Sequence, residues 1–441
     1  MELEYKNIND LKWERILREN CRIWQSPLTV ELPVHPCHST DWIMVDSSLD
    51  VGRLRVFPEL SKEDAEKRKN RYKNEVMLVQ FAFDDPPFVP DCRYTSIKLA
   101  EGRYPVAEAS YFAWDMHYQL EYLCQPIDER QNLLWINVTV TNEDNSPRNA
   151  CVRTKISFLP EGEAFDFLYV PFYRDAGKYH PSQRTRIGGD KIILDGKQVG
   201  RVLNGEFNFN WEDTKDFNDE DYNKRFNAAS PYFVTPCMRY KQVRQTICCS
   251  SEIGAGKSLS FSIVLFTDYE SVKDSHIKEM SSSTPKEGRQ AAIAHFKSEE
   301  KKDTTVMQFP ASRWNDILSR MQTTVKQMLV HPLGKDYLIP LQGGADAHHE
   351  ICMWEAMVML QPMLKLGYFS LVRDSLSFIF KLQDSEYPPK GNFTTTKGAI
   401  GCIGTPWICT TGSVLALAAD YYRYSHDEEF LKKYPPSMLN A

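Results

Sequence analysis

One short stretch of the chain, residues 343–355, gathers side chains that could catalyse a reaction. Its acidic, basic and aromatic members are Asp346, His348, His349, Glu350, Trp354 and Glu355. A carboxyl group beside an indole suits general acid catalysis on a sugar, because the ring stacks on the pyranose while the carboxyl protonates the leaving oxygen. The structural alternative is a helix with Asp346 as its N-cap, polar surface residues and a buried Trp354.

Two histidine-containing stretches raise the question of a metal site. His348 and His349 could bind sugar hydroxyls or, with the flanking carboxylates, a metal ion. Adjacent histidines rarely ligate one ion, and a His-Glu-x-x-His spacing is absent. The run His35-Pro-Cys37-His38 is equally cramped and is typical of a loop. We therefore predict no metal and no cofactor.

Length and composition bound the kind of protein. The 441 residues suggest two or three domains, and 42% hydrophobic residues allow a substantial core. The net charge of −6 argues against a nucleic-acid-binding surface. Aromatic residues make up 12% of the chain, including 9 Trp, which suits carbohydrate binding and also large β cores.

The cysteines and the apolar runs indicate the compartment. The 11 cysteines are an odd number and include no Cys-x-x-Cys pair, which favours reduced, buried thiols. The N-terminus is charged and lacks the apolar core of a signal peptide. No apolar run approaches the roughly 20 residues that cross a bilayer. These features predict a cytoplasmic protein without a membrane segment.

The first part of the chain has the alternating pattern of β-strands, separated by turn residues at the spacing of a β-sandwich. The run Gly254-Ala-Gly-Lys-Ser258 resembles the end of a phosphate-binding loop, but a strand follows it where a helix is needed, so we predict a hairpin turn. The predicted strands are Trp114–Cys124, Leu133–Thr141, Ala150–Leu159, Lys191–Leu194, Gln242–Ser250 and Leu259–Thr267.

From about residue 276 the pattern becomes helical. Residues 276–305 are rich in Ser, Lys and Glu and predict a linker with a helix over Pro285–Lys297. Apolar residues then repeat every 3.6 positions from Trp314 to Met328, which predicts a helix over 311–330. Further helices are predicted at 348–366, 369–383 and 409–424, followed by a short one capped by Asp427. The last residues, 437–441, resemble the first turn of another helix, so we expect a truncated protein or gene fragment, and reading the coding sequence beyond Ala441 tests this.

This layout and two motifs resemble the six-hairpin glycoside hydrolases. The run 339–355, Ile-Pro-Leu-Gln-Gly-Gly-Ala-Asp-Ala-His-His-Glu-Ile-Cys-Met-Trp-Glu, is similar to the acid-bearing segment of bacterial α-L-rhamnosidases and their relatives. In those enzymes a catalytic Glu stands four residues before a Trp, which implies the general-acid role for Glu350. Glu355 is the acid nearest to the position of a second family carboxylate, which is Met357 here. The Gly-Thr-Pro-Trp407 loop before a helix also resembles the family and implies a sugar-stacking Trp.

The resemblance implies a fold and a reaction. The fold is a multidomain β + α protein, with a supersandwich-like β-sandwich over 1–275, a linker over 276–309 and a partial six-hairpin (α/α) toroid over 310–441. The reaction is inverting hydrolysis of an α-linked glycoside or oligosaccharide, with the general base beyond the chain end. A phosphorylase of the same class and a non-catalytic carbohydrate-binding or scaffold protein are the alternatives. The expected partner is a carbohydrate substrate, and a homodimer is a possible assembly. The catalytic candidates are Glu350 and Glu355, and the substrate-binding candidates are Asp346, His348, His349, Trp354 and Trp407.

Overall fold

A computed structural model describes residues 32–45, 49–55, 76–84, 95–159, 185–203, 205, 207–212, 246–302, 307–332, 335–341, 353–383, 398–400 and 409–440. These residues form antiparallel β-sheets followed by α-helices, which confirms the mixed β and α class. The strands are β1 Leu32–Pro33, β2 Asp41–Val45, β3 Val51–Arg55, β4 Val76–Phe83, β5 Ser96–Ala100, β6 Tyr104–Ala113, β7 Met116–Pro126, β8 Asn132–Asn142, β9 Arg148–Leu159, β10 Thr185–Gly188, β11 Lys191–Leu194, β12 Lys197–Leu203, β13 Asn208–Glu212, β14 Thr246–Ile253, β15 Ser258–Phe266, β16 Leu329–Val330 and β17 Ile339–Pro340.

The described strands form two large sheets and one small hairpin. One sheet has seven strands in the order β1-β2-β3-β4-β9-β14-β13, and the other has eight in the order β10-β11-β12-β15-β8-β7-β6-β5. The strands predicted from alternation at 133–141, 150–159 and 259–267 are confirmed as β8, β9 and β15. The strand predicted from Trp114 begins only at Met116, because Trp114 and Asp115 have positive φ angles and form the turn before it.

The two sheets share one hydrophobic core. The ring of Phe83 on β4 lies 4.5 Å from that of Tyr118 on β7, and the Tyr122 hydroxyl donates a hydrogen bond to the Leu49 carbonyl at 2.5 Å. Alternation along β7 explains this packing, since Tyr118, Leu120 and Tyr122 are buried while the intervening residues are more exposed. The pattern of period two therefore identifies the core face correctly.

The turn at residues 254–257 corrects one prediction. It is a tight turn, with the Lys257 N–H bonded to the Gly254 carbonyl at 3.0 Å, but it does not close a hairpin. Strand β14 pairs with β9 and β13, whereas β15 pairs with β8 and β12, so the turn carries the chain from one sheet to the other. The buried side chain of Asn142 stabilises this crossing by donating to the carbonyls of Ser146 and Ile253 at 2.8 and 2.9 Å.

Eight helices lie within the described residues: α1 Asp274–Ser282, α2 Pro285–Glu300, α3 Ser312–Met328, α4 Met353–Lys365, α5 Phe369–Lys381, α6 Cys409–Ser425, α7 Glu428–Lys433 and α8 Pro435–Asn440. The predicted helices at 285–297, 311–330, 369–383 and 409–424 are confirmed as α2, α3, α5 and α6. The predicted cap of α7 is also present, because the Asp427 carboxylate accepts a hydrogen bond from the Phe430 N–H at 2.9 Å.

Helix α2 joins the two parts of the chain by packing on the outer face of the eight-stranded sheet. A capping box between Thr284 and Glu287 starts it. Gly288 then lies directly against the Trp135 indole of β8, so close that an added Cβ would be 2.7 Å from the Trp135 Nε1 atom. Next to it, Arg289 donates to Glu108 at 2.7 Å and to Glu121 at 2.5 Å. Glycine at position 288 is what allows this close approach.

Helix α3 lies within the predicted bounds and exposes part of its apolar face. Its apolar residues Trp314, Ile317 and Met321 are exposed, and the buried positions near its end are Thr323, Lys326 and Gln327. The periodicity of the apolar residues identified the helix but not the face that contacts the rest of the protein. The polar end of α3 packs against the loop that contains His35, whose ring contacts the Gln327 carbonyl at 3.3 Å.

Candidate active site

The structure describes two of the seven candidate residues. Trp354 and Glu355 lie in the first turn of α4. The remaining candidates lie outside the described residues: Asp346, His348, His349, Glu350 and Trp407.

The indole of Trp354 is 43% exposed, which excludes the buried Trp of the structural alternative. The buried stripe of α4 consists of Met353, Ala356, Leu360 and their neighbours, and it faces the helical core. Trp354 lies one position, or about 100° of helix rotation, away from Met353 and points off this stripe. An exposed aromatic ring in the first turn is accessible for stacking on a ligand.

Glu355 follows Trp354 and is partly buried, with its Oε2 atom enclosed by protein. A carboxylate next to an exposed indole is a pairing that glycoside-binding sites use, since the ring supplies apolar contact and the carboxylate accepts hydrogen bonds from hydroxyls. This pair is the part of the candidate site that the structure describes.

Helices α4 and α5 form an antiparallel hairpin. Gly367 follows the end of α4 with a φ of +89°, a left-handed conformation that suits glycine, and the Tyr368 N–H bonds to the Met363 carbonyl at 3.1 Å. The turn is short, so α5 runs back along α4 and ends near the level at which α4 begins.

Helix α6 begins at that same end. Gln383, just after α5, pairs with Ile400, and the Ile400 N–H donates to the Thr411 hydroxyl of the first turn of α6 at 3.3 Å. Helices α4 and α6 therefore run in parallel, and the Gln361 side chain of α4 donates to Asp420 of α6 at 3.0 Å. The first turn of α4, with Trp354 and Glu355, and the first turn of α6 lie at one end of the helical part.

Asp374 on α5 is a carboxyl group that sequence reasoning missed. It is half-buried, and burial raises its pKa, with a further contribution from the negative charge of Asp336. The charges of Arg373 and His331 act in the opposite direction, and no described contact joins Asp374 to Trp354 or Glu355. No motif marks this residue in the sequence, because the effect arises from the fold around α5.

A second pair of carboxylates, Glu108 and Glu121, lies on the outer sheet face and is unsuited to acid catalysis. Partial burial acts to raise the pKa of Glu108, but hydrogen bonds from Arg289 and Lys98 outweigh it and lower that pKa. Glu108 also lines an open surface cleft of about 590 Å³ beside β1 and β5. An ionised, arginine-bound carboxylate there is structural, and it holds α2 on the sheet.

The described part of the chain contains no group of three or more His, Cys, Asp or Glu side chains arranged to hold a metal ion. The run from His35 to His38 is a loop, and its two rings have different partners. His35 Nδ1 accepts from the Ile43 N–H at 3.1 Å, and His38 Nδ1 contacts the Leu329 carbonyl at 2.8 Å. Within the same described part, no helix is long and apolar enough to cross a membrane. Five cysteines of that part, Cys37, Cys124, Cys151, Cys248 and Cys249, are buried, and the Sγ atoms of Cys151 and Cys248 lie 3.1 Å apart.

No family model and no curated protein matches the chain. Among solved structures, a family GH92 inverting mannosidase from Bacteroides thetaiotaomicron is similar over 90% of this chain, with 7% identity and a TM-score of 0.32. A polysaccharide lyase is similar over 91% of this chain, with 10% identity and a TM-score of 0.20. The chain spans 52% of the mannosidase and 66% of the lyase. Both neighbours are carbohydrate-active enzymes, but TM-scores this low do not assign the fold or the activity of this chain.

Proposed function

We propose that the protein is a glycoside hydrolase of the six-hairpin class that acts on an α-linked glycoside or oligosaccharide, with Glu350 as its general acid. In this proposal the two facing sheets are the supersandwich-like domain, and the α4–α5 hairpin with the parallel α6 belongs to an (α/α) toroid. The shared core of the two sheets and the parallel course of α4 and α6 support this fold.

The observation that carries the proposal is the exposed indole of Trp354 beside the partly buried Glu355 in the first turn of α4. Glu350 precedes Trp354 by four residues in the sequence, and Trp407 precedes the first residue of α6 by two. Helices α4 and α6 begin at the same end, so the first turn with Trp354 lies beside the first turn of α6, which Trp407 precedes in the sequence.

The proposed chemistry places one requirement on Glu350. The positive end of the α4 dipole favours an ionised carboxylate, whereas a general acid must hold its proton until the leaving oxygen takes it. A sugar stacked on Trp354 would exclude water from the carboxyl group and raise its pKa in the bound complex. Protonation of the leaving group by Glu350, with attack by a water whose proton a second carboxylate accepts, would then give inversion.

Glu350→Gln tests the acid role through the leaving group. With the general base present, we expect hydrolysis of an alkyl α-glycoside to fall by roughly 10²–10⁴-fold, because glutamine cannot protonate the alkoxide. A dinitrophenyl glycoside should be much less affected, because its leaving group departs without a proton. Glu355→Gln is the matched control and should affect both substrates alike. Equal loss on both substrates in Glu350→Gln would exclude the acid role.

The same assay separates the alternatives. Turnover that requires added inorganic phosphate would identify a phosphorylase. With the general base present, calorimetric binding of an oligosaccharide without turnover, in both the unaltered protein and Glu350→Gln, would identify a non-catalytic carbohydrate-binding protein. Neither binding nor turnover with any α-glycoside would refute the proposal.

A further inference from the structure

The outer face of the eight-stranded sheet carries a row of small neutral polar side chains beyond the part that α2 covers. Strand register places one residue from each of five neighbouring strands directly opposite the next. We call this set the hydroxyl row, and it consists of Ser260, Thr139, Gln119, Ser110 and Ser96. With strands about 4.8 Å apart, the row spans about 19 Å.

The hydroxyl row points away from the core and is accessible. Gln119, Ser260 and Ser96 are exposed, whereas the flanking Tyr118 and Leu120 are buried in the shared core. The Thr139 and Ser260 hydroxyls lie 2.8 Å apart, and in the next row Thr141 and Ser258 make the same 2.8 Å contact. Hydroxyl and amide groups can donate and accept hydrogen bonds at once, as the hydroxyls of a sugar do.

Two exposed aromatic rings stand at the end of this face. Phe112 is 53% exposed and lies opposite His117, with ring centroids 6.3 Å apart. Trp114, at 59% exposure, occupies the two-residue turn between β6 and β7. It has a φ of +48°, a left-handed conformation in which Asn or Gly is usual and a bulky side chain is strained. Strained residues of this kind cluster at active sites and ligand-binding sites.

The charges around the face argue against an anionic partner. The hydroxyl row contains no charged residue, and two basic groups near the turn, Arg148 and His117, have acidic neighbours. Arg148 lies 4.0 and 3.9 Å from the carboxylates of Asp115 and Asp144, and His117 lies 3.7 Å from Glu143. Nucleic acids and anionic polymers require unneutralised basic groups. A protein partner would favour a continuous apolar patch, which the hydroxyl row does not provide.

We propose that this face binds a neutral polysaccharide chain. Phe112 and Trp114 would stack on sugar rings, and the hydroxyl row would exchange hydrogen bonds with the chain's hydroxyls. The face lies on the outer side of the sheet, built from different residues than the first turns of α4 and α6. The inference rests on the proposed function in one respect, which is that both take a carbohydrate as the ligand.

Affinity electrophoresis tests this face directly, with mannan, starch, xylan or β-glucan in the gel and polygalacturonate as the anionic comparison. All variants carry Trp354→Ala, so that the first turn of α4 does not contribute to retardation. We expect at least one neutral polysaccharide to retard the protein. Trp114→Asn should weaken that binding by about tenfold or more, since asparagine accepts the left-handed turn and only the ring is lost.

Two further variants test the hydroxyl row and provide a control ring outside it. Thr139→Val removes a hydroxyl at constant shape and should weaken binding by about threefold. Tyr424→Ala removes a comparably exposed ring on α6 and should leave binding unchanged. No retardation by any neutral polysaccharide, stronger retardation by polygalacturonate, or equal retardation of Trp114→Asn would overturn the proposal. Because retardation does not depend on turnover, failure of the glycosidase assay leaves this test intact.

Discussion

At the scale of single residues, His35 links stability to pH. Its Nδ1 accepts from the Ile43 N–H, so the neutral ring carries its proton on Nε2, 3.3 Å from the Gln327 carbonyl. Burial is the largest cause that lowers its pKa, to about 4, and the nearby Arg320 lowers it further, while hydrogen bonds to Ile43 and Gln327 and the charge of Asp41 act in the opposite direction.

The contribution of His35 to stability should therefore be complete above pH 6.5 and should decline as the pH falls toward 4, because only the unfolded chain protonates this histidine in that window. We expect the free energy of unfolding in urea to drop by about 2 kcal/mol between pH 7 and pH 5 from His35 alone. Burial also lowers the pKa of His38 and His295, which adds to the loss of unfolding free energy as the pH falls. His35→Gln keeps a donor and an acceptor without titrating, so the free energy of unfolding of this variant should change less with pH. An equal pH dependence of the unfolding free energy in His35→Gln and in the unaltered protein would contradict this role of His35.

A second residue-scale prediction concerns the buried ion pair between Asp41 and Arg53. Their side chains are 0% and 2% exposed, with 2.8 Å between the Asp41 Oδ1 and Arg53 Nη2 atoms. The Arg53 guanidinium also lies over the ring of Tyr269, 4.8 Å from its centroid. Asp41→Asn should cost about 3–5 kcal/mol of unfolding free energy, because a buried guanidinium loses its carboxylate.

The double variant Asp41→Leu/Arg53→Met should recover most of that loss, since it removes both desolvated charges and keeps the volume. Urea denaturation of the single and double variants measures the difference. A double variant that is less stable than Asp41→Asn would show that the pair stabilises the fold beyond its own charges.

At the scale of elements, two helical glycines should respond in opposite ways to alanine. An added Cβ at Gly288 in α2 would meet the Trp135 indole at 2.7 Å, whereas Gly412 in α6 has no atom within 4 Å of that position. Gly288→Ala should cost about 1–3 kcal/mol by pushing α2 off the sheet. Gly412→Ala should gain about 0.5–1 kcal/mol, because alanine favours the helix. Thermal unfolding monitored by circular dichroism measures the stability of both variants. A stabilised Gly288→Ala would show that α2 does not pack against Trp135.

The elements also show what could be predicted from the sequence. Strands β8 and β9 and helices α5 and α6 follow from local periodicity, which depends on residues near each other in the chain. The turn at 254–257 looked like a hairpin, but the partners of β14 and β15 are set by distant strands. Helix α3 shows the same limit, since periodicity identifies an apolar face and not what covers it. In the candidate site, the Glu-Trp spacing was visible in the sequence. Elsewhere on the helices, the raised pKa of Asp374 depends on the folded surroundings.

At the scale of the whole molecule, the two hydrophobic cores meet at β2. Ile43 and Val45 face the core between the sheets, and Trp42, on the opposite side of the same strand, belongs to the helical core with Leu329 and Val330. The indole of Trp42 also stacks on the His35 ring, with centroids 5.8 Å apart. One strand thus contributes a face to each core, which should make the two parts unfold together.

Differential scanning calorimetry tests this coupling. We expect the unaltered protein to unfold in a single endotherm, and Trp42→Ala to lose about 3–5 kcal/mol and to separate the helical and β transitions, because the cavity lies where the cores join. Phe261→Ala is the control: it makes a similar cavity inside the β core and should lower the transition temperature while keeping one endotherm. Two endotherms in the unaltered protein, or one in Trp42→Ala, would show that β2 does not couple the two cores.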